Sequence, residues 1–565
     1  MKTELQILRE WEQRFPGKNP TRQQIDLALE FANGRRNVAE PARAGSGKTS
    51  SNYMGLTWAP ELLIASRWPE IKVVQFNTAN RIEGQEKVRE LEKASLLPPG
   101  RVEVTTFHSM CDGFLRAKFR DRKFGDPDQE REYKHAAKAL GFKPDAAGKY
   151  KDDAHDLIKL VGDIAVKGKE MVPFAKAGHE LVDMAMDFEL IATAEQEDAG
   201  WTQAAVCDAA LRTMLLGLEW DGTRSFTDMI WWPLRRGWIY PCATLVLIDE
   251  FQDLSPFMYA VARKIVRFDR GGRLFMVGDP YQCIYEWRGA NVQAMGEFAS
   301  EFKAAILKLT GTFRCPVSVV DLAKQVVGDY ESIPGAKQGS VTQLAFDKLH
   351  EKAKPGDFVL SRKTAPLARV CMRLLKHGIP AKIEGSQLGK GLVSLIKKLK
   401  PKSMPDFLEK LNKYIEKEIG RFEELAKTKK SAQNHIDMVK DQRDVLVAMS
   451  EGISGLKELT ARVESLFVDS KTGETPKQVI CSTVHKAKGR EANRVFLLEE
   501  SFMWKPPTWG LPGQPAPVPA KAPGSTWEIL ATEEMRLWYV AVTRTKDELI
   551  ILGGVPGIKP IEEKK

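Results

Sequence analysis

Short apolar runs, three to five residues long, recur along the chain: Val73–Phe76, Val102–Thr106, Leu245–Ile248, Leu274–Val277, Phe358–Leu360, Val479–Ser482, Val495–Leu498 and Leu549–Leu552. Stretches of helical character separate them. Runs apolar on both faces, alternating with helices, predict buried parallel strands in α/β layers. They fall into two sets, before and after about residue 300, so two α/β domains are expected.

Two segments differ from this pattern. Residues 108–225 read as helices, rich in Lys, Glu and Ala and poor in β-branched runs. Residues 391–474 are also helical: Leu411, Ile415, Ile419, Phe422 and Leu425 recur at three- and four-residue spacing, a stripe that one helix face buries. The lysines opposite read as a solvated face. The expected plan is a first domain of 1–107 and 226–304 interrupted by 108–225, and a second of 305–390 and 475–565 interrupted by 391–474. Residues 505–523 hold seven prolines and read as a stiff exposed loop. Trp231 and Trp232, in M-I-W-W-P, read as core.

Chemistry concentrates in two places in the first set. In A-R-A-G-S-G-K-T, Ala42 to Thr49, Gly45 and Gly47 let the backbone curl so that the N–H groups of Ala44, Gly45, Ser46 and Gly47 point inward, and a helix follows. Such a loop binds phosphate through amides and the helix dipole. Lys48 is placed to reach the β- and γ-phosphates of a nucleotide, and the Thr49 hydroxyl to bind Mg²⁺. In L-V-L-I-D-E-F-Q-D, Leu245 to Asp253, a buried strand ends in two acids, at the strand end where open α/β sheets bind ligands. Asp249 can hold Mg²⁺ through water, and Glu250 can orient and deprotonate an attacking water.

Composition narrows the partner. Apolar residues make up 43% and charged residues 28% of the 565, which excludes a largely disordered chain. The 85 Lys and Arg against 75 Asp and Glu leave a charge of +10, which favours a polyanionic partner. No apolar run reaches the roughly 18 residues a membrane span needs. The first residues, MKTELQILREWEQRF, lack the apolar core of a signal peptide. Seven scattered cysteines with no C-x-x-C support neither a disulfide framework nor a zinc site. The expectation is a reduced, cytoplasmic protein.

V-G-D-P-Y-Q-C-I-Y-E-W-R-G-A, Val277 to Ala290, joins these elements into one pattern. With them it resembles the superfamily 1 helicases of the UvrD/PcrA/Rep type. Other segments match that family in order: Thr21 to Gln24, F-N-T-A-N (Phe76–Asn80), T-F-H-S (Thr106–Ser109), L-T-G-T-F-R-C (Leu309–Cys315), S-T-V-H-K-A-K-G-R-E (Ser482–Glu491) and L-W-Y-V-A-V-T-R-T (Leu537–Thr545). The match runs from about residue 21 to 552 and leaves both helical segments without signature.

The resemblance implies an α/β fold with two RecA-like P-loop NTPase domains with parallel sheets, each carrying a mainly helical insertion. ATP with Mg²⁺ would bind in a cleft between them. Lys48, Thr49, Asp249, Glu250 and Gln282 would line one wall; Arg314 and Arg544 would come from the other to stabilise the transferring phosphoryl. Gln24 would read the adenine edge, Phe313 would stack on adenine, and Glu491 would join the network at the sugar. Phe76, Asn77, His108, Tyr285, Trp287, Arg288 and His485 would contact single-stranded DNA, with Trp287 stacking on a base. The implied function is an ATP-dependent helicase or translocase moving 3′ to 5′ on single-stranded DNA and acting at junctions with duplex, in the cytoplasm of a bacterial or phage-infected cell. An ATP-gated or protein-displacing subunit that depends on a partner is the alternative, and RNA stays open as a track. Four features depart from the family: Ala42 and Arg43 open the phosphate loop, Phe313 replaces a common tyrosine, Arg490 replaces an apolar residue, and the second insertion has only about 84 residues.

Overall fold

The computed structural model describes the chain except residues 60–69, 121, 146–149, 151, 189, 287–289, 428–429, 469–476, 503–530 and 556–565. The proline-rich segment 505–523, together with Trp287 and Arg288, therefore lies outside the described residues. The fold is mixed α/β with two parallel sheets and many helices, in two units: Met1–Ala42 with Lys48–Leu309, and Arg43–Gly47 with Thr310–Lys565. No helix among the described residues is long and apolar enough to cross a membrane.

The first unit holds a six-stranded sheet of β1 (Val38–Pro41), β2 (Ile71–Gln75), β3 (Val102–Thr106), β4 (Leu245–Ile248), β5 (Arg273–Gly278) and β6 (Ala305–Ile306), in the order β3-β2-β4-β5-β1-β6. Every neighbouring pair is parallel. Strands β1, β2, β4 and β5 are buried along their whole length, as apolar runs covered on both faces must be. Two N-terminal helices, Glu4–Arg14 and Arg22–Asn33, join this core. Each starts on a threonine capping box, Thr3 with Gln6 and Thr21 with Gln24, which satisfies amides the first turn leaves free. Phe31 of the second helix stacks on Phe275 of β5 at 4.5 Å.

The helical segment of this unit packs Arg131–Leu140, Asp152–Met171 and Gln203–Leu216 together and meets Asp228–Arg235. At its centre Arg131, Lys169, Glu132 and Asp228 are all buried. Lys169 bonds Asp228 at 2.7 Å and Glu132 at 2.9 Å, and Arg131 bonds Asp228 at 2.5 Å. Burial alone would raise the Asp228 carboxyl, but Lys169 and Arg131 overcome it and hold its pKa low. Two cations facing two anions leave no net buried charge, the condition under which such a cluster survives in a core. Trp231 and Trp232 complete this core, as the sequence predicts.

The second unit repeats the frame with β9 (Ser340–Ala345), β10 (Phe358–Ser361), β11 (Ala381–Ile383), β12 (Val479–Thr483), β13 (Ala492–Leu498) and β14 (Thr545–Gly553), ordered β11-β12-β10-β13-β14-β9 and parallel throughout. A short parallel pair, β7 (Gly311–Thr312) and β8 (Glu331–Ser332), stands apart. The helices Ser386–Lys398, Met404–Ala426, Lys430–Ser450 and Leu456–Leu466 form the insertion. Leu411, Ile415 and Phe422 are buried and Ile419 half-buried, so the stripe read from the sequence faces inward; the Leu425 side chain lies outside the described set. The insertion shares one apolar core with the sheet. It is also pinned by Asp441, whose carboxylate accepts the Thr364 and Ala365 amides at 2.9 Å each, at the start of helix Thr364–Lys376.

Candidate nucleotide and strand sites

In the first unit, β4 delivers its two acids to the helix Lys48–Leu56. Lys48 Nζ lies 2.6 Å from Glu250 and 3.7 Å from Asp249, and Thr49 Oγ1 donates to Asp249 at 3.3 Å. Burial pulls the Lys48 ammonium down, but Glu250, then Asp249 and Asp279, outweigh it and raise its pKa, so the lysine stays charged. Asp249 is buried, which raises its carboxyl against the pull of Lys48. Glu250 adopts a left-handed conformation with φ +53°. A non-glycine residue in that region stores about 1–3 kcal/mol and is held there only by its surroundings. Here the turn aims the carboxylate back at Lys48.

A hydrogen-bond chain extends from this turn. Gln252 donates to Glu250 at 2.6 Å and accepts the Asp279 amide at 3.0 Å; Gln282 donates to Asp279 at 2.8 Å. Gln282 thus reaches Glu250 through two intermediates. A Cβ at Gly278 would stand 2.1 Å from Gln252 Oε1, so only glycine leaves that glutamine its place. Gln252 was not among the sequence-predicted residues; its signal is its position two residues past Glu250 in the D-E-F-Q-D run.

Glu40 was also missed. It sits fully buried on β1, and Asn52 Nδ2 lies 2.9 and 3.0 Å from its two oxygens. Burial pushes its carboxyl well up, with Asp249 adding to the shift. Asn52 also donates to the Lys48 carbonyl at 2.8 Å, so Glu40 helps fix the helix that carries Lys48. Gln24 is buried, accepts the Thr21 amide at 3.0 Å and donates to Ser51 Oγ at 2.8 Å. Its amide is thus committed to the helix cap and to the lysine-bearing helix.

The short stretch Arg43–Gly47 is held within the second unit. Arg43 makes a bidentate pair with Asp329 at 2.7 and 2.9 Å. The Ala44 amide donates to the Tyr539 hydroxyl at 2.9 Å, the Tyr330 hydroxyl donates to the Ala44 carbonyl at 2.8 Å, and the Phe313 amide donates to the Gly45 carbonyl at 2.8 Å. Gly45 and Gly47 have φ of +71° and +72°, the left-handed turn that glycine adopts without cost. The Ser46 hydroxyl is buried with no hydrogen-bond partner among the described residues, an orphan that a phosphate oxygen would satisfy.

Arg314, Glu491 and Arg544 also belong to the second unit. Arg314 forms an ion pair with Glu491, which Lys546 pairs from the other side. Burial would raise the Glu491 carboxyl, but Arg314 and Lys546 hold it below its usual range. Arg544 is fully buried and donates to the Val540 carbonyl at 2.9 Å and the Arg490 carbonyl at 3.4 Å. Burial and the neighbouring Arg314 lower its pKa to about 10, still charged at neutral pH. Phe313 is exposed, open for stacking.

The candidate strand contacts separate. His108 stacks on Phe226 with ring centroids 3.9 Å apart and planes 21° from parallel. Burial lowers the His108 pKa to about 4, so the ring is neutral near pH 7. Phe226 is 55% exposed and presents a free aromatic surface; it lies in R-S-F-T-D, where a lone apolar residue among polar ones is the only signal. Phe76 is half-buried after β2. Asn77 caps the helix Thr78–Lys93, its side chain accepting the Asn80 amide at 2.8 Å. Tyr285 is half-buried, and His485 is half-buried in the short helix Val484–Ala487 after β12.

Comparison with known proteins bears on this arrangement. Residues 239–303, which carry β4, both acids and Gln282, match the UvrD/REP helicase N-terminal domain family. The chain is 26% identical to the ATP-dependent DNA helicase UvrD1 of Mycobacterium tuberculosis over 312 residues, 51% of this chain and 36% of the relative. It is 24% identical to the ATP-dependent DNA helicase srs2 of Schizosaccharomyces pombe over 178 residues, 31% of this chain and 20% of the relative. It is 32% identical to DNA helicase II of Escherichia coli over 95 residues, 17% of this chain and 13% of the relative. The likeness to UvrD-type helicases read from the motifs is therefore shown, while the chain spans little more than a third of these relatives at most.

Proposed function

We propose that the chain is an ATP-dependent DNA helicase or translocase that moves 3′ to 5′ on single-stranded DNA and unwinds duplex at junctions. The observation that carries this reading is the grouping of Lys48, Thr49, Asp249 and Glu250 in the first unit, inside the segment that matches the helicase family. Both units are read as RecA-like, on the strength of their matching six-stranded parallel sheets.

The residues present suit ATP and Mg²⁺. Thr49 and Asp249 offer a hydroxyl and a carboxylate oxygen, a hard donor pair for a cation that keeps several waters. Mg²⁺, when bound, would offset charge on the phosphate oxygens. Lys48 would exchange its Glu250 partner for phosphate. Glu250, released from that ion pair but still held by Gln252, would take a proton from the attacking water. Gln282 would sense the same centre through Asp279 and Gln252. Arg314 would stabilise the phosphoryl charge, and exposed Phe313 would stack on adenine. Gln24, already committed to Thr21 and Ser51, would position the lysine-bearing helix while reading the adenine edge.

For the strand, Phe226 on its His108 base offers a stacking platform, worth about 1–3 kcal/mol per base and indifferent to base identity. The 3′ to 5′ direction rests on the W-R-G motif, Trp287 to Gly289, by resemblance. The test is ATP hydrolysis at one fixed salt concentration with no nucleic acid, single-stranded DNA, duplex DNA or single-stranded RNA. Strong stimulation by single-stranded DNA is expected; equal rates in all four would overturn the motor reading. Fixed salt matters because phosphate contacts make binding steeply salt-dependent.

A further inference from the structure

The helix Phe107–Lys118 carries the His108–Phe226 stack at its start, and its far end carries something the strand motifs do not include. The run R-A-K-F-R-D-R-K-F, Arg116 to Phe124, holds five cations, one acid and two phenylalanines in nine residues. Phe119 meets Trp220 at 4.9 Å and Trp238 at 5.6 Å, and Phe124 meets Trp220 at 4.8 Å. All four of these rings are half-exposed. Each of three outer rings is faced by a cation: Arg116 over Phe124 at 4.9 Å, Arg122 over Trp220 at 5.6 Å and Lys118 over Trp238 at 5.7 Å.

Arg116 is paired with Asp112, but Lys118, Arg120, Arg122 and Lys123 are exposed and form no ion pair among the described residues. Ring stacking fixes a guanidinium in place and leaves its N–H edge open, so less freedom is lost when an anion docks. The rings themselves are capped, which makes the surface poor for bases and good for phosphates.

We infer that this cluster is a second nucleic-acid site, which binds the phosphodiester backbone of the single strand after it leaves the Phe226 platform. The helix joining the two has 12 residues, roughly 18 Å, so one strand spans both. The inference rests on the strand reading above and lengthens its track.

The experiment measures binding of the full chain to strands of about three and about thirty nucleotides across a salt series; at about 3.4 Å per nucleotide the first is too short to reach from the Phe226 platform to the cluster and the second covers both. In a Lys118→Ala/Arg122→Ala variant, the slope of log affinity against log salt on the long strand should fall by about 1.4, at about 0.7 per lost phosphate contact. The short strand should bind unchanged, and ATP hydrolysis without DNA should not move. Arg122→Lys, which keeps the charge, should retain the parent slope; if it loses it, folding damage rather than charge is responsible and the inference falls. Unchanged long-strand binding in the double variant, equal loss on both strands, or loss confined to blunt duplex would each overturn it. Failure of the parent to bind the short strand would instead remove the Phe226 platform, and this inference with it.

Discussion

The two sheets share a strand plan and differ at the ends of their middle strands. In the first unit β4 runs into Asp249 and Glu250, and the residue after them in importance, Lys48, leans on both. In the second unit the strand at the same place in the order, β10, runs into Ser361 and Arg362, and Arg362 is paired with Glu534 at 2.8 Å. One sheet end gathers a charged centre whose members hold one another. The other is closed by an ordinary ion pair, and the two arginines proposed to act on phosphate, Arg314 and Arg544, lie just after β7 and just before β14. A parallel frame therefore fixes where a ligand can sit, while the loops decide whether any chemistry is placed there.

The largest effect that would sharpen this contrast is at Arg314. Its pair with Glu491 is partly open, so Arg314→Ala should fold normally and cut DNA-stimulated ATP turnover by about 10³–10⁵. Turnover within tenfold of the parent would confine the chemistry to the first unit. Next comes the buried cluster of the first helical segment. Asp228→Ala strands Lys169 and Arg131 without their shared anion and should cost about 3–5 kcal/mol in urea unfolding; no exposed pair in the second insertion should approach that.

His108 gives a pH dependence. Its pKa is depressed in the folded state, so the neutral ring contributes stability above about pH 6.5 that is lost as pH falls toward 4, up to about 3 kcal/mol. His108→Phe should flatten that acid limb in thermal melts; an unchanged limb would say the ring is not buried against Phe226. The smallest effect is at Arg544. Arg544→Ala leaves the Val540 and Arg490 carbonyls short of a donor and should cost about 1–3 kcal/mol of stability. Loss of turnover with no loss of stability would mean the guanidinium leaves its burial site to act.

The strands legible in the sequence were those with uninterrupted apolar runs: β3 and β4 occupy the residues expected, and β2, β5, β10, β12, β13 and β14 differ only at their ends. β1 was missed because V-A-E-P breaks its run with Glu40, whose charge is suppressed by burial and by the nearby Asp249 rather than by any local signal. β9 was missed because it is an edge strand with exposed and half-exposed side chains, so S-V-T-Q-L-A carries no apolar pattern. The stripe of the second insertion was readable since helix periodicity is local. The Arg131–Lys169–Asp228–Glu132 cluster was not, since its partners lie 37 to 97 residues apart and look like surface charges one at a time. The same holds for Phe226, which gains meaning only from the His108 ring beneath it.

The central claim is that β4 places Glu250 to act on water while Lys48 and Asp249 hold the nucleotide. Glu250→Gln tests it most directly, by nucleotide binding and steady-state ATP hydrolysis on single-stranded DNA measured on the same preparation. Turnover should fall by about 10²–10⁴ with nucleotide and DNA binding retained. Hydrolysis at the parent rate would contradict the assignment of Glu250 and the reading of the site built around it.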